Sequence, residues 1–314
     1  MESFRALVTG GLGLIGSSVV SNLQKKGSEV VIVDDGSAYT GNLFEKLSEQ
    51  MGEKSSLIKI GTENPKLLNI LEGERFDFIF NFGSYSSDRY FERDDIDAIN
   101  KTINGMINIL KVARSTKAGR VVYPSSGTVY GKTGAPQFEE TLLDPLTPYS
   151  ITKVYLEMLS KINDDISTVG LRIFTGYGAR EWYKGNISSV VTLFTTAALK
   201  NRPIEIYGDG NQRRDFIDSD DIAEIAVRLA TADTSPRIVN CGSGYSNSFN
   251  ELVDLISRNV EMEVNVKYVD SKVKFVPETR ANVDRLLKFT GFKPAELSNR
   301  FGQYLKELRT FMEE

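Results

Sequence analysis

Tyr149 and Lys153 stand four residues apart in the run Tyr149-Ser150-Ile151-Thr152-Lys153. On a helix that spacing puts both side chains on one face. A free phenol ionises near pH ~10, and lowering that by about three pH units takes about 4 kcal/mol of preference for its anion. A neighbouring ammonium acts in that direction. Such a phenolate could take the proton of a substrate hydroxyl. A second hydroxyl comes from Ser125-Ser126-Gly127-Thr128-Val129-Tyr130-Gly131, which follows a strand-like run. Ligands of open α/β sheets sit at strand C-terminal ends, so a serine there could hold the substrate oxygen while the proton moves.

An alcohol that loses a proton and a hydride needs a hydride acceptor. Gly10-Gly11-Leu12-Gly13-Leu14-Ile15-Gly16 follows Ala6-Leu7-Val8-Thr9 and opens an amphipathic run. Glycines at such a strand–helix turn let backbone approach phosphate oxygens, and the helix start offers free N–H groups and a partial positive charge. Asp34 and Asp35 close the next strand-like run. A carboxylate there accepts from a ribose diol and repels a 2′-phosphate, and no arginine follows closely, so the cofactor expected is NAD. Its nicotinamide cation would add to the pull on the Tyr149 phenol.

These residues must be held by regular elements. Strand candidates are Ala6–Thr9, Glu29–Asp34, Leu57–Ile60, Asp77–Phe82, Arg120–Tyr123 and Val169–Phe174, with helix candidates Leu14–Lys26, Pro65–Leu71, Asp94–Arg114 and Pro148–Asn163 between them. Thr147 and Pro148 supply a cap and first residue for the helix that carries Tyr149 and Lys153. Apolar strands alternating with helices predict a Rossmann-type, doubly wound parallel α/β sheet over residues 1–175. Residues 176–314 read as a smaller mixed α/β substrate lobe, from which segments near 210–245 could return to the first sheet. Its helix candidates are Ile187–Lys200, Ser219–Ala232, Phe249–Asn259 and Ala295–Met312, and its strand candidates Ile204–Tyr207, Ile238–Cys241 and Val264–Tyr268.

Composition narrows the chemistry. The 314 residues carry a formal charge of -4, which argues against a nucleic-acid surface. There is no histidine and one cysteine, Cys241, so a metal site and an intrachain disulfide are not expected. No apolar run approaches the ~20 residues of a spanning helix, and the first residues show no secretion signal. A cytoplasmic protein without membrane partners is expected.

Together the motifs resemble the extended short-chain dehydrogenases/reductases, in their NAD-dependent nucleotide-sugar epimerase/dehydratase group. Further matches are Leu171-Arg172-Ile173-Phe174-Thr175-Gly176-Tyr177-Gly178, the run from Ile206 to Ile217 with Asp220-Asp221-Ile222-Ala223, and Gly291-Phe292-Lys293-Pro294. The resemblance implies a catalytic triad of Ser126, Tyr149 and Lys153. It implies cofactor contacts from Gly10, Gly13, Leu14, Ile15, Gly16, Asp34, Asp35, Phe82, Gly83, Ser84, Ser125, Tyr149 and Lys153. It implies a nucleotide-diphosphate sugar as substrate, bound by Ser126 and Thr128, by Thr175 in place of an asparagine near the substrate phosphates, by Tyr207 against the base, and by Arg214 and Arg280 on the diphosphate. The chain departs from the group's pattern in reading Asn81-Phe82-Gly83-Ser84 after the fourth strand, and in Thr62, Thr102 and Thr175.

The shared reaction step of that group is oxidation, here expected at C4. Relatives that dehydrate carry Asp-Glu shortly before the Tyr-Gly of the serine turn, where this chain has Gly127-Thr128. The Thr128 pattern resembles epimerases, in which the keto sugar is reduced again on its other face. A 4-dehydrogenase that stops at the ketone would use the same residues, and a dehydratase or a non-catalytic NAD-binding module are the remaining readings. The resemblance also implies a homodimer through Asp94–Arg114 and Pro148–Asn163, with Ile99, Ile103, Met106, Ile107 and Leu110 open to an interface or a core role. Trp182 and Tyr183 are open to loop packing or to lining the sugar pocket.

Overall fold

The computed structural model describes residues 3–39, 43–49, 52, 54–92, 94–270 and 276–313. Its strands are β1 (Arg5–Thr9), β2 (Glu29–Asp34), β3 (Ser55–Lys59), β4 (Phe78–Asn81), β5 (Arg120–Ser126), β6 (Thr168–Ile173), β7 (Thr175–Tyr177), β8 (Ile204–Tyr207), β9 (Arg213–Arg214), β10 (Phe216–Asp218), β11 (Ile238–Cys241), β12 (Asn247–Ser248) and β13 (Val266–Val269). Its helices are α1 (Leu14–Lys25), α2 (Leu43–Glu49), α3 (Lys66–Ile70), α4 (Asp88–Phe91), α5 (Asp95–Thr116), α6 (Pro148–Ile162), α7 (Val190–Leu199), α8 (Ser219–Thr231), α9 (Phe249–Val260), α10 (Asp284–Thr290) and α11 (Leu297–Glu313).

Seven strands form one parallel sheet in the order β11-β6-β5-β4-β1-β2-β3. The apolar runs are continuous because both faces are covered. Ala6 and Val8 of β1 pack with Val30, Ile32 and Phe80 under α1 and α8. Leu7, between them, points the other way and packs with Val31, Val33 and Ile79 under α5 and α6. Chain order reverses between β1 and β4, and there the connections part to leave a crevice at the strands' C-terminal ends. The Thr9 hydroxyl marks that point, donating to Asn81 Oδ1 (2.7 Å) and accepting from Gly83 N–H (3.0 Å).

A third core joins α7, β8, α9 and α11 through Val191, Phe194, Ile204, Leu252, Phe301 and Leu308. From the C-terminal half, α8 packs into the first core and β11 extends the main sheet beside β6. The helix expected over Ile187–Lys200 begins later. Ser189 caps it, its Oγ accepting from Thr192 N–H (3.3 Å), and residues Ala179–Ile187 form separate 3-10 turns broken by a kink at Gly185. No described helix is long and apolar enough to cross a membrane.

Candidate active site

The glycine turn is shaped by close backbone approaches. Gly10 has φ +60°, and a Cβ there would stand 2.6 Å from Phe82 O. A Cβ on Gly16 would stand 2.0 Å from Gly10 O. Those two glycines dock the turn onto the β4 loop and itself. Gly13 differs, because a Cβ there would meet only Gly10 O at 3.2 Å and the Tyr39 hydroxyl at 4.0 Å. It is the N-cap of α1 and gives that helix no side-chain cap, so the first N–H groups are left to a ligand. Asp34 accepts from Leu12 N–H (3.1 Å) and Gly36 N–H (3.0 Å), and burial raises its carboxyl above the ordinary value. Asp35 accepts from both the N–H (2.9 Å) and the hydroxyl (2.7 Å) of Ser37.

Across the crevice, α6 opens on a reciprocal cap. Ser150 N–H donates to Thr147 Oγ1 (3.2 Å), and Thr147 N–H donates to Ser150 Oγ (2.9 Å). With Pro148 as first residue, this fixes Tyr149 and Lys153 in the first two turns. Tyr149 is 7% exposed and Lys153 1%. The Lys153 ammonium lies 5.3 Å from the Tyr149 ring centre and donates to Ser84 Oγ (3.4 Å). At the end of β5, Ser126 Oγ accepts from Thr128 N–H (3.2 Å) and Thr128 Oγ1 (2.9 Å), and it also interacts with the Tyr149 phenol.

The electrostatics of the pair differ from the lowered phenol that the sequence suggested. Burial pushes Tyr149 up to about 12, Asp88 adds to the rise, and Ser126 opposes it. Burial alone takes Lys153 down to about 7. The protein's own groups therefore keep the phenol protonated at neutral pH. A phenolate there would need a positive charge beside it beyond what the ligand-free fold supplies.

Beneath the pair lies a buried ionic cluster that sequence reading did not pick out. Arg172 forks onto Glu157, Nε to Oε1 (2.9 Å) and NH2 to Oε2 (2.8 Å). Ser125 Oγ donates to the same carboxylate (2.5 Å), and Arg172 also donates to the Tyr130 hydroxyl (2.9 Å). Glu157 is one turn beyond Lys153, and Ser125 precedes Ser126. The cluster thus ties α6, β5 and β6 together behind Ser126, Tyr149 and Lys153.

All these edges face one cavity of about 680 Å³. It is lined by Gly10, Gly13, Leu14, Ile15 and Gly16, by Asp34 and Asp35, by Phe82, Gly83 and Ser84, and by Ser125, Ser126, Thr128, Tyr149, Lys153 and Thr175. Thr62 and Thr102 line it too, Thr62 donating to Gly83 O (2.8 Å). Tyr207, Arg214 and Arg280 are not among its lining residues. Tyr207 is exposed on β8, Arg214 NH1 donates to the carbonyls of Arg213 (2.7 Å) and Val276 (2.9 Å), and Arg280 Nε lies 3.5 Å from Glu278. Tyr39, Asp88 and Lys184 line the cavity with no local sequence signal for it, and Tyr183, for which the sequence allows either loop packing or a pocket role, lines it too. Trp182 packs against the third core instead. Among the described residues, no group of three or more His, Cys, Asp or Glu is placed to hold a metal ion.

Residues 6–242 match the family described as NAD dependent epimerase/dehydratase. A UDP-glucose 4-epimerase of Mycolicibacterium smegmatis is 29% identical over 92% of this chain and 93% of its own. A UDP-N-acetyl-alpha-D-glucosaminuronate decarboxylase of Bacillus cytotoxicus is 27% identical over 92% of each chain. Among solved structures, the UDP-N-acetylglucosamine 4-epimerase of Methanobrevibacter ruminantium, in complex with UDP-N-acetylmuramic acid, superposes with a TM-score of 0.89 at 28% identity, over 100% of this chain and 99% of that one.

Proposed function

This chain belongs to the NAD dependent epimerase/dehydratase family, and from the nucleotide-sugar enzymes among its relatives we propose that it is a nucleotide-diphosphate-sugar 4-epimerase. The observation that carries the proposal is the meeting of Ser126, Tyr149 and Lys153 with the glycine turn in one cavity, where the serine turn offers Thr128 and no carboxylate. Relatives include a decarboxylase as well as 4-epimerases, so the serine turn is what favours this branch.

The residues present fit NAD. The uncapped start of α1, the side-chain-free approach at Gly13 and the carboxylates of Asp34 and Asp35 would meet pyrophosphate and ribose diol. Phe82, Gly83, Ser84 and Ser125 would flank the dinucleotide toward Tyr149. When bound, NAD would supply the acceptor, and on return the donor, of the hydride from the sugar carbon. The chain's own residues move the proton. Ser126 holds the C4 oxygen, and Tyr149 takes its proton as the alcohol becomes a ketone. Lys153, 5.3 Å from the ring centre, would stabilise the phenolate together with the positive charge of bound NAD. After the keto sugar turns its other face, Tyr149 gives the proton back. Thr128 would border the sugar, and Thr175 the substrate phosphates. This reading divides the chain near residue 175 into a cofactor lobe, including the returning α8 and β11, and a substrate lobe.

We also read a cytoplasmic homodimer. Of the residues first considered for its interface, Met106 and Leu110 are buried in the second core, and Ile103 packs against it. The exposed apolar stripe is on α6, at Ile151, Tyr155, Met158 and Ile162. Light scattering should give twice one chain's mass, and Ile162→Asp should give a single chain's mass; a parent protein of single mass removes the dimer.

The direct test is incubation with UDP-glucose, UDP-N-acetylglucosamine and UDP-glucuronate without added NAD, read by NMR of the sugar and absorbance at 340 nm. Epimer without net NADH supports the reading. A ketone formed in proportion to enzyme would replace it with a 4-dehydrogenase.

A further inference from the structure

Three lysines and no arginine line the cavity among the described residues. Lys101 is paired with Asp97 (3.0 Å), and Lys153 belongs to the proton-transfer pair. Lys184 makes no hydrogen bond or close ion pair with another described residue. Its nearest influence is Glu181, whose attraction opposes the lowering caused by burial.

Glu181 is occupied elsewhere. Its carboxylate accepts from Ser189 N–H (3.1 Å), from Thr192 Oγ1 (2.8 Å) and from the Ser189 hydroxyl. Ser188 Oγ donates to Glu181 O (2.8 Å), and Ser188 N–H donates to Gly185 O (3.1 Å). Gly185 has φ +55°, the left-handed conformation that lets the chain fold back directly after Lys184. A stapled turn therefore holds the lysine at the cavity wall.

The residue before it points to the same ligand. The Tyr183 hydroxyl is buried without a hydrogen-bond partner of good geometry among the described residues, although the Tyr39 phenol is near enough to influence it. Their ring centres are 5.0 Å apart, and the Tyr39 hydroxyl is the group that lies 4.0 Å from a Cβ built on Gly13. Lys184 and Tyr183 thus line the same cavity as the glycine turn, with Tyr39 between Tyr183 and Gly13.

We infer that Lys184, with the Tyr183 hydroxyl, is the cationic contact for a diphosphate bound in this cavity. An ammonium serves as a point charge for phosphoryl oxygens, and the phenol donates a hydrogen bond to them. Arg214 and Arg280, the residues first considered for this task, line no part of the cavity. The diphosphate belongs either to NAD or to the nucleotide sugar. This inference rests on the nucleotide-sugar reading only for the second source.

The test is isothermal titration of the full chain and of Lys184→Ala, Lys184→Gln, Lys184→Arg and Tyr183→Phe. The probes are NAD and, separately, UDP, dTDP, GDP and ADP, with uridine as a phosphate-free control. Trp182, the chain's one tryptophan, gives an independent fluorescence readout beside the lysine. Loss of a charge-assisted contact should weaken one diphosphate about 10- to 100-fold in Lys184→Ala and Lys184→Gln, leave uridine unchanged, and recover in part in Lys184→Arg. A loss for NAD alone assigns the cofactor's diphosphate; a loss for a nucleoside diphosphate alone assigns the substrate's. If no nucleoside diphosphate binds the parent chain, the NAD arm decides. Affinities within twofold of the parent for every ligand that binds, in correctly melting Lys184→Ala and Lys184→Gln, overturn the inference. Binding is read without turnover, so failure of every sugar to epimerise would count against the proposed reaction and not against this contact.

Discussion

Glu157→Gln tests whether the buried ionic cluster holds the reacting groups in place. The side chains of Glu157 and Arg172 are 4% and 6% exposed, and the carboxylate takes both guanidinium bonds together with that of Ser125. Gln keeps the volume and one carbonyl acceptor. It turns an amide toward Arg172 and leaves a buried cation without its counter-charge. Breaking such a pair from one side costs about 3–5 kcal/mol. With ~2.1 cal/mol/K of unfolding entropy per residue, a chain of 314 residues should then melt about 5–8 °C lower. Glu157 is one turn beyond Lys153 and bonded to the neighbour of Ser126, so misplacement should also lower kcat by about 10²-fold. Circular-dichroism melts at matched NAD content, with steady-state rates well below the transition, read both effects. Glu157→Leu with Arg172→Met removes both charges and should regain most of the melting temperature without regaining kcat. A Glu157→Gln protein melting within 1 °C of the parent, or a double variant no more stable than the single one, would refute the reasoning.

Three further outcomes follow from the same geometry. Tyr149→Phe deletes the phenol that faces Ser126; turnover should fall about 10²–10⁴-fold while mass spectrometry finds NAD released from the purified protein in unchanged amount, and near-parental turnover removes the proton-transfer role. Gly16→Ala places a Cβ 2.0 Å from Gly10 O, so the turn must shift, and NAD retention through gel filtration should be lost; full retention contradicts the tight-turn account. Burial holds Lys153 at about 7 in the ligand-free fold, against ~10.4 unfolded. Between those values the unfolded chain binds more protons, so this residue makes stability rise with pH across that window. Denaturant titrations at pH 7 and pH 9 should show that rise in the parent and a flatter response in Lys153→Met, whereas equal slopes would place the amine in water.

The parts of this molecule that sequence made legible are those where local chemistry and position coincide. Thr147, Pro148, Tyr149 and Lys153 are read within one helix start, and the reciprocal Thr147–Ser150 cap places them as that reading requires. The glycine turn is similar, since the strand before it and the helix after it are both encoded nearby. Short elements such as α4 and β9 escaped because four or two residues carry no period. Glu157 and Arg172 escaped for another reason. They lie on different elements, and nothing in either neighbourhood announces that two charges will be buried against each other.

The substrate side shows how a motif can name a residue without fixing where it reaches. Arg214 sits in a run that resembles the family's, yet where its guanidinium goes is settled by β9 pairing with β12 and by the approach of Val276 and Phe249. Those are long-range contacts. Lys184 is the converse case, an unremarkable lysine in sequence. It is held at the cavity wall by a left-handed glycine next to it and by a glutamate that is itself tied to the start of α7. The segment between β7 and α7 therefore brings to the cavity a lysine that no local sequence signal announces. The scaffold beneath it brings the glycine turn, Ser126, Tyr149 and Lys153 to one cavity at the C-terminal ends of the parallel strands.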